Sequence, residues 1–395
     1  MTADGSTDRT YDIVLFGATG FTGGLTAEYL AAHAGPATRW ALAGRNPAKL
    51  EAVRDRLAAT DPVLKDLPLL HADSTDAASL EAVARAARIV VTTVGPYEVY
   101  GEPLVAACAK AGTDYLDLTG EPAFVDRMYV RYHEEARRTG ARIVHACGFD
   151  SIPYDMGVYY TVSHLPEGVP LHVEGFVRAD AQFSGGTLHS AVGAFADVPG
   201  MLRAERERRR VEPRPQGRRI RISTRPVPRT RLGRGWTLPM TTLDPRVVTR
   251  SAAALDRYGP DFSYGQYIAV RHLATAVGLA GGLGAVVGLA QLPPTRSLLL
   301  RAARPGEGPS PERRARSWFT VTFVGEGGGE RVVTEVAGGD PGYDETAKML
   351  AESALCLAHD DVPATSGQVT TAVAMGDALV RRLRRAGLTF RVLDS

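Results

Sequence analysis

Tyr11-Asp-Ile-Val-Leu-Phe-Gly-Ala-Thr-Gly-Phe-Thr-Gly-Gly24 decides the fold. Residues 13–16 are β-branched or large and apolar. The run stops at Gly17, Gly20 and Gly23, and a helical pattern takes over from Leu25 through Tyr29 and Leu30. A buried strand, a glycine turn and a helix start, in that order, predict a cradle for a pyrophosphate. Gly17 permits the turn, Gly20 lets backbone N–H groups come close to phosphate, and Gly23 lets the helix sit tight on the strand. The helix N-terminus adds unpaired N–H groups and a partial positive charge. Thr19, Phe21 and Thr22 complete the expected contact set. Glycine turns also occur with no ligand, but this one lies between strand and helix near the chain start, which favours a dinucleotide.

The totals set bounds. A chain of 395 residues has room for two or three domains. Its apolar and charged fractions are those of an ordinary globular protein, and a net charge of +2 points to no partner by itself. Cys108, Cys147 and Cys356 lie far apart with no CxxC, which argues against a structural metal or disulfide framework and fits a reducing compartment. The first ten residues are polar and contain no secretory apolar region, so a cytoplasmic protein with a frayed start is expected.

A second strand ends in Gly44-Arg-Asn46. Sites that prefer NAD place an acid there, which would repel a 2′-phosphate, whereas a guanidinium can pair with one through two hydrogen bonds. Arg45 with Asn46 and Lys49 therefore predicts NADPH; the alternative is that Arg45 only caps a surface turn. A third strand ends at Asp73, expected either beside the adenine or as a helix cap. The fourth, residues 88–94, has an unbroken apolar run at Ile89-Val-Val91, as a strand covered on both faces should. Gly95-Pro96 turns the chain at its carboxyl end, where ligands of open parallel sheets bind. Gly95 and Pro96 are thus expected beside the nicotinamide ribose. Tyr97 and Tyr100 are candidate proton donors, against the alternative of packed loop aromatics. A fifth strand ends near Asp117 and Glu121. A sixth, holding His145 as a core residue, is followed by Gly148-Phe-Asp-Ser-Ile-Pro153, in which Asp150 and Ser151 are expected to cap a helix. Six alternations of strand and helix predict a Rossmann-type doubly wound parallel sheet.

Gly17-Ala-Thr-Gly-Phe-Thr-Gly23, Ala43-Gly-Arg-Asn46, Val94-Gly-Pro-Tyr97, Asp117-Leu-Thr-Gly-Glu121 and Gly148-Phe-Asp-Ser-Ile-Pro153 resemble the saccharopine dehydrogenase-like oxidoreductases. Within them the chain is most similar to the trans-acting enoyl reductases of polyketide-lipid synthesis. Residues 304–310, 341–347, 349–355 and 374–376 extend the likeness over nearly the whole chain. The resemblance implies an NADPH-dependent reduction of a carbon–carbon double bond on a carrier-bound acyl chain. Saccharopine-type relatives reduce an imine or carbonyl instead, and a non-catalytic NADP(H)-binding, lipid-associated scaffold is a third reading.

From Tyr159 the alternation stops. Segments near 171–178, 318–324 and 331–336 predict a mainly antiparallel second sheet, so an α+β domain over 156–340 is expected inside a nucleotide domain made of 1–155 and 341–395. His189, on a helix expected over 187–203, is a third candidate proton donor, with a surface histidine as the alternative. Residues 203–234 hold thirteen arginines against three glutamates, a local charge of +10 in a chain whose remainder carries −8. This reads as a solvated face or mobile loop, or as a docking patch for an acidic acyl carrier protein. No binding module accompanies it, so nucleic acid is not expected. Residues 273–292 carry no charge, but five glycines and the following Pro293-Pro294 favour a buried helical pair or the wall of an acyl site. Contact with a lipid surface comes next and a membrane span last. A second copy of the chain is a further candidate partner, and a final strand over 388–393 ends a tail expected to pack on the first domain.

Overall fold

The computed structural model describes residues 9–181, 197–225, 235–240, 243–291, 295 and 308–394. The opening strand β1 (Tyr11–Phe16) lies parallel between β2 (Trp40–Gly44) and β4 (Ala87–Thr92). Outward on one side comes β3 (Leu69–His71). On the other come β5 (Asp114–Leu116), β6 (Arg142–Val144) and, from the tail, β13 (Gly367–Val369). Every described pairing in this sheet is parallel.

Why β1 is apolar without alternation is now visible. Ile13 and Leu15 enter one core, Val14 and Phe16 the other, and all four are buried. The first core is closed by α1 (Phe21–His33), α2 (Pro47–Ala58) and the tail helix α12 (Asp344–His359). The second is closed by α3 (Ala77–Ala86), α5 (Glu102–Ala111) and α6 (Pro122–Thr139), with a single turn α4 (Tyr97–Tyr100) before α5. Helices on both faces make this the doubly wound sheet expected from sequence.

Helix α7 (Ile152–Val162) leads to the second sheet. It lies so close that a Cβ on Gly157 would sit 2.3 Å from the Phe323 ring. That sheet has the order β14 (Thr389–Asp394), β12 (Glu330–Gly338), β11 (Trp318–Gly327), β7 (Leu171–Asp180), β10 (Asp261–Val270), β8 (Arg219–Ile222), with β9 (Trp236–Pro239) also against β10 and the single turn α11 (Pro311–Arg314) leading into β11. It is more mixed than the sequence pattern predicts. β10 runs parallel to both β7 and β8, because α8 (Val198–Val211) and α9 (Asp244–Ala254) intervene between strands that then return in the same direction. The tail is shared: α12 and β13 lie with the first sheet, α13 (Thr371–Arg385) packs on α7, and β14 forms an edge of the second.

Two further expectations change. The arginine-rich stretch begins as helix rather than loop, and Arg208 is buried. The apolar stretch is a single helix α10 (Leu273–Ala290), not a buried pair. Leu273, Val277, Leu279 and Leu289 are exposed, and Ala276 is buried. Its glycines leave few side chains to pack, and it lies mainly against β9 and β10. Among the described residues no helix is long and apolar enough to cross a membrane.

Candidate functional site

The carboxyl ends of β1, β4, β5 and β6 meet at one edge of the first sheet. Gly17 stands at φ +100°, a backbone conformation that glycine adopts without strain. The Gly20 N–H donates to the Gly17 carbonyl at 3.0 Å and closes the turn. A Cβ on Gly23 would lie 2.1 Å from that same oxygen, so the helix can touch the strand only through glycine. At Gly20 the nearest atom to such a Cβ would be 3.4 Å away. Glycine there is not forced by packing; it leaves the helix start uncovered. No side chain caps α1, and Thr19 and Gly20 are exposed. These residues fit a pyrophosphate.

Arg45, Asn46 and Lys49 follow β2 and are exposed. Asn46 is already engaged in the fold, since its side chain accepts the Lys49 N–H at 3.0 Å and caps α2. Arg45 stands beside Asp73, at the end of neighbouring β3. The Asp73 carboxyl accepts from Thr75 N and Oγ1 at 2.9 and 2.8 Å. Those bonds, aided by the Arg45 charge, hold it below the usual carboxylate range. Asp73 thus shapes its own turn while facing the guanidinium expected to take the 2′-phosphate.

Gly95-Pro96, a cis peptide, opens α4. Glu121, buried at the turn after β5, accepts the Tyr97 and Glu98 N–H groups at 3.3 and 2.6 Å and fixes that turn. Tyr97 points inward. Its hydroxyl donates to the Thr92 carbonyl at 3.1 Å and accepts the Leu118 N–H at 3.2 Å, tying the ends of β4 and β5 together. A substrate finds no donor there. Tyr100 is on the surface, 39% exposed. His189 lies outside the described residues. Of the two described candidates, Tyr97 is thus turned into the fold and Tyr100 out to solvent.

Other groups converge here that the sequence alone presents as caps or does not single out. Asp117 is fully buried and holds the β5–β6 edge. It accepts from the Tyr115 hydroxyl, the Thr119 N–H and the Ala146 N–H, and pairs with His145 Nδ1 at 2.6 Å. Ser151 does not cap α7 with its side chain; its hydroxyl donates to Asp244 Oδ1 at 2.7 Å. Gln266, from β10 of the second sheet, donates to Asp244 Oδ2 at 2.9 Å and accepts from the Tyr264 hydroxyl at 3.1 Å. Asp150 lies next to this group and over the β5 turn: its Oδ2 would be 3.2 Å from a Cβ on Gly120. Burial, with the Asp244 charge added, pushes its carboxyl up to about 7. Tyr154, buried beside both acids, is raised well above the ordinary phenol, chiefly by burial. Asp244 and Gln266 stand in the sequence as single polar residues, one before Pro245 and one between Gly265 and Tyr267, which local pattern cannot assign to a shared site. A hollow of about 300 Å³ lined by His172, Arg221 and Asp261 opens elsewhere, beside β7 and β10, away from these strand ends.

The likenesses agree with this geometry. The family of the saccharopine dehydrogenase NADP binding domain matches residues 13–144. A Mycobacterium tuberculosis protein provisionally named a trans-acting enoyl reductase is 41% identical, with 98% of each chain covered. A trans-acting enoyl reductase of Mycobacterium bovis is 39% identical over 96% of this chain and 97% of its own. Among solved structures, a saccharopine dehydrogenase from Saccharomyces cerevisiae superposes with a TM-score of 0.54 over 97% of this chain and 100% of its own, at 10% identity, and so shares the fold. The chain belongs to the saccharopine dehydrogenase-like, NADP-dependent oxidoreductases, in the branch of the trans-acting enoyl reductases.

Proposed function

We propose that this chain reduces the carbon–carbon double bond of an α,β-unsaturated acyl thioester carried on a separate protein in polyketide or lipid synthesis. The observation that carries the reading is identity near 40% along nearly the whole length of relatives named for that activity. NADPH, when bound, supplies the hydride for the β-carbon. The chain's residues do the rest. The turn from Thr19 to Gly23 would hold the pyrophosphate, Arg45 with Lys49 the 2′-phosphate, and Gly95 with Pro96 the side of the nicotinamide ribose. A donor must also stabilise the negative charge that develops on the thioester oxygen.

The carrier is proposed to be acidic and to meet the exposed arginines of α8, Arg203, Arg206 and Arg210. Replacing these three with glutamine should weaken capture of an acidic carrier and flatten its salt dependence; unchanged capture removes the docking surface. For the reaction itself, NADPH oxidation is followed with an enoyl thioester and, separately, with an oxo-acid plus amine. Consumption with the thioester alone supports the reading. Consumption with the second pair alone replaces it with imine reduction, and tight NADPH binding without any consumption would make the chain a scaffold.

A further inference from the structure

Reducing a conjugated double bond requires a proton as well as a hydride. Of the candidate donors, Tyr97 has its hydroxyl engaged inside the fold on both sides, and Tyr100 is on the surface. The two acids at the end of β6 differ in a way that bears on the question. Asp244 accepts from Ser151 and from Gln266, two donors that favour its ionised form. Among the described residues, no N–H or O–H donates to Asp150, whose described neighbours are a second carboxylate and a glycine turn. Two neighbouring carboxyls in unlike surroundings divide the roles: the doubly hydrogen-bonded one keeps the charge, and the other keeps the proton. Asp150 also lies where the proton is needed. It follows β6 and lies over Gly120, one residue before the Glu121 that anchors the Gly95-Pro96 turn.

We infer that Asp150 is the general acid of the reduction, delivering its carboxyl proton to the α-carbon of the substrate, with Asp244 as the positioning residue that keeps it protonated. The assignment rests on the enoyl-reductase reading above. As hydride arrives at the β-carbon, the π electrons move toward the thioester oxygen. They return to form the α-carbon–hydrogen bond as the Asp150 O–H bond breaks. Asp150 is left as a carboxylate and regains a proton from water before the next turnover. The titratable groups that face Asp150 are Asp244 from α9 and Tyr154 from α7; enclosure and the Asp244 charge disfavour a charge on Asp150, and Tyr154 stays neutral beside it. Its acid form is therefore populated at neutral pH, and Gly120 leaves its Oδ2 room.

The test uses the full chain and two readouts. Asp150→Asn is expected to bind NADPH within about twofold of the parent by fluorescence titration and to lose at least about 100-fold in kcat with an enoyl thioester. Independently of turnover, infrared difference spectra of the protein alone should show a protonated carboxyl that titrates near neutrality in the parent and is missing from Asp150→Asn. In Asp244→Asn that band, and the alkaline fall of kcat, should both move to lower pH, because the like charge has gone. This second variant keeps Asp150 in place and carries the test if Asp150→Asn does not fold. Parent-like kcat in Asp150→Asn, or no carboxyl titrating above the ordinary range in the parent, overturns the inference. If the parent reduces no enoyl thioester, the functional reading falls, and the infrared titration still reports separately on Asp150.

Discussion

Replacing Asp126 tests whether the arginine-rich helix is pinned from within. Asp126 projects from α6 of the first domain, with its side chain 5% exposed. Its Oδ1 accepts from Arg208 Nε at 2.6 Å, and its Oδ2 lies 3.3 Å from Arg246 Nη1. Arg208 also pairs with Glu212, Arg246 with Glu205 at 3.1 Å, and Arg250 with Glu212 at 2.9 Å while it covers the Tyr129 ring. Three carboxylates thus face three enclosed guanidiniums. Burial raises the Asp126 pKa despite the three arginines around it, and burial lowers that of Arg208 despite Asp126. On both partners desolvation outweighs attraction, so the pair is costly to form and more costly to break. Asp126→Ala should destabilise the chain by about 3–5 kcal/mol, because it removes the carboxylate shared by Arg208 and Arg246 and leaves three enclosed guanidiniums facing two carboxylates. Arg208→Met should cost a similar amount. The double variant Asp126→Ala/Arg208→Met should cost less than the sum of the two single losses, with a coupling of about 2–3 kcal/mol. Urea unfolding at low and high salt measures all four, and salt should change the coupling little, since the pair is enclosed. Two small, additive losses of under about 1 kcal/mol each would refute the reasoning and return Arg208 to the solvated surface.

Other outcomes follow from the site. Gly23→Ala puts a methyl 2.1 Å from the Gly17 oxygen, which forces α1 off β1; a loss of about 1–3 kcal/mol in unfolding and at least tenfold weaker NADPH binding are expected. Arg45→Ala should weaken NADPH about 10- to 100-fold by calorimetry and leave NADH unchanged; equal losses for both would show that Arg45 only shapes the turn. Tyr97→Phe strands the Leu118 N–H and the Thr92 carbonyl, so unfolding should show a loss of about 1–3 kcal/mol while kcat stays within about threefold. Asp150, raised to about 7 in the fold, binds more protons folded than unfolded between about pH 4 and 7. Its contribution is present below that window and lost as pH rises through it. Asp150→Asn should therefore gain on the parent by up to about 2–4 kcal/mol at pH 8, and no change in the gap between pH 4 and 8 would contradict the raised value.

What could be read in advance was local. Residues 13–16 show a strand buried on both faces, and the glycine turn shows what lies at its end, because both depend on neighbours within a few positions. The same chemistry elsewhere was not legible. Arg203 and Arg208 sit in one helix and look alike in sequence, yet one is exposed and the other buried, and the difference is Asp126, 82 positions away. Tyr97 reads as a loop hydroxyl free for substrate until Leu118 and Thr92 are seen to close on it. Ser151 reads as a helix cap because serine before Ile-Pro commonly is one, but the second domain brings a stronger acceptor, Asp244, within 2.7 Å.

The contact between Ser151 and Asp244 also governs how Asp150 behaves. Asp150 carries no motif of an acid catalyst, and isolated in its own segment it would titrate as an ordinary surface carboxyl. It becomes unusual because the fold encloses it, and because Asp244 arrives from 94 positions downstream, already held by Ser151 and Gln266 and so unwilling to take the proton itself. The acid is a property of the contact between the two domains. A change confined to β10, such as Gln266→Leu, would remove one donor from Asp244 and shift proton sharing between the two acids without touching any residue of the nucleotide domain.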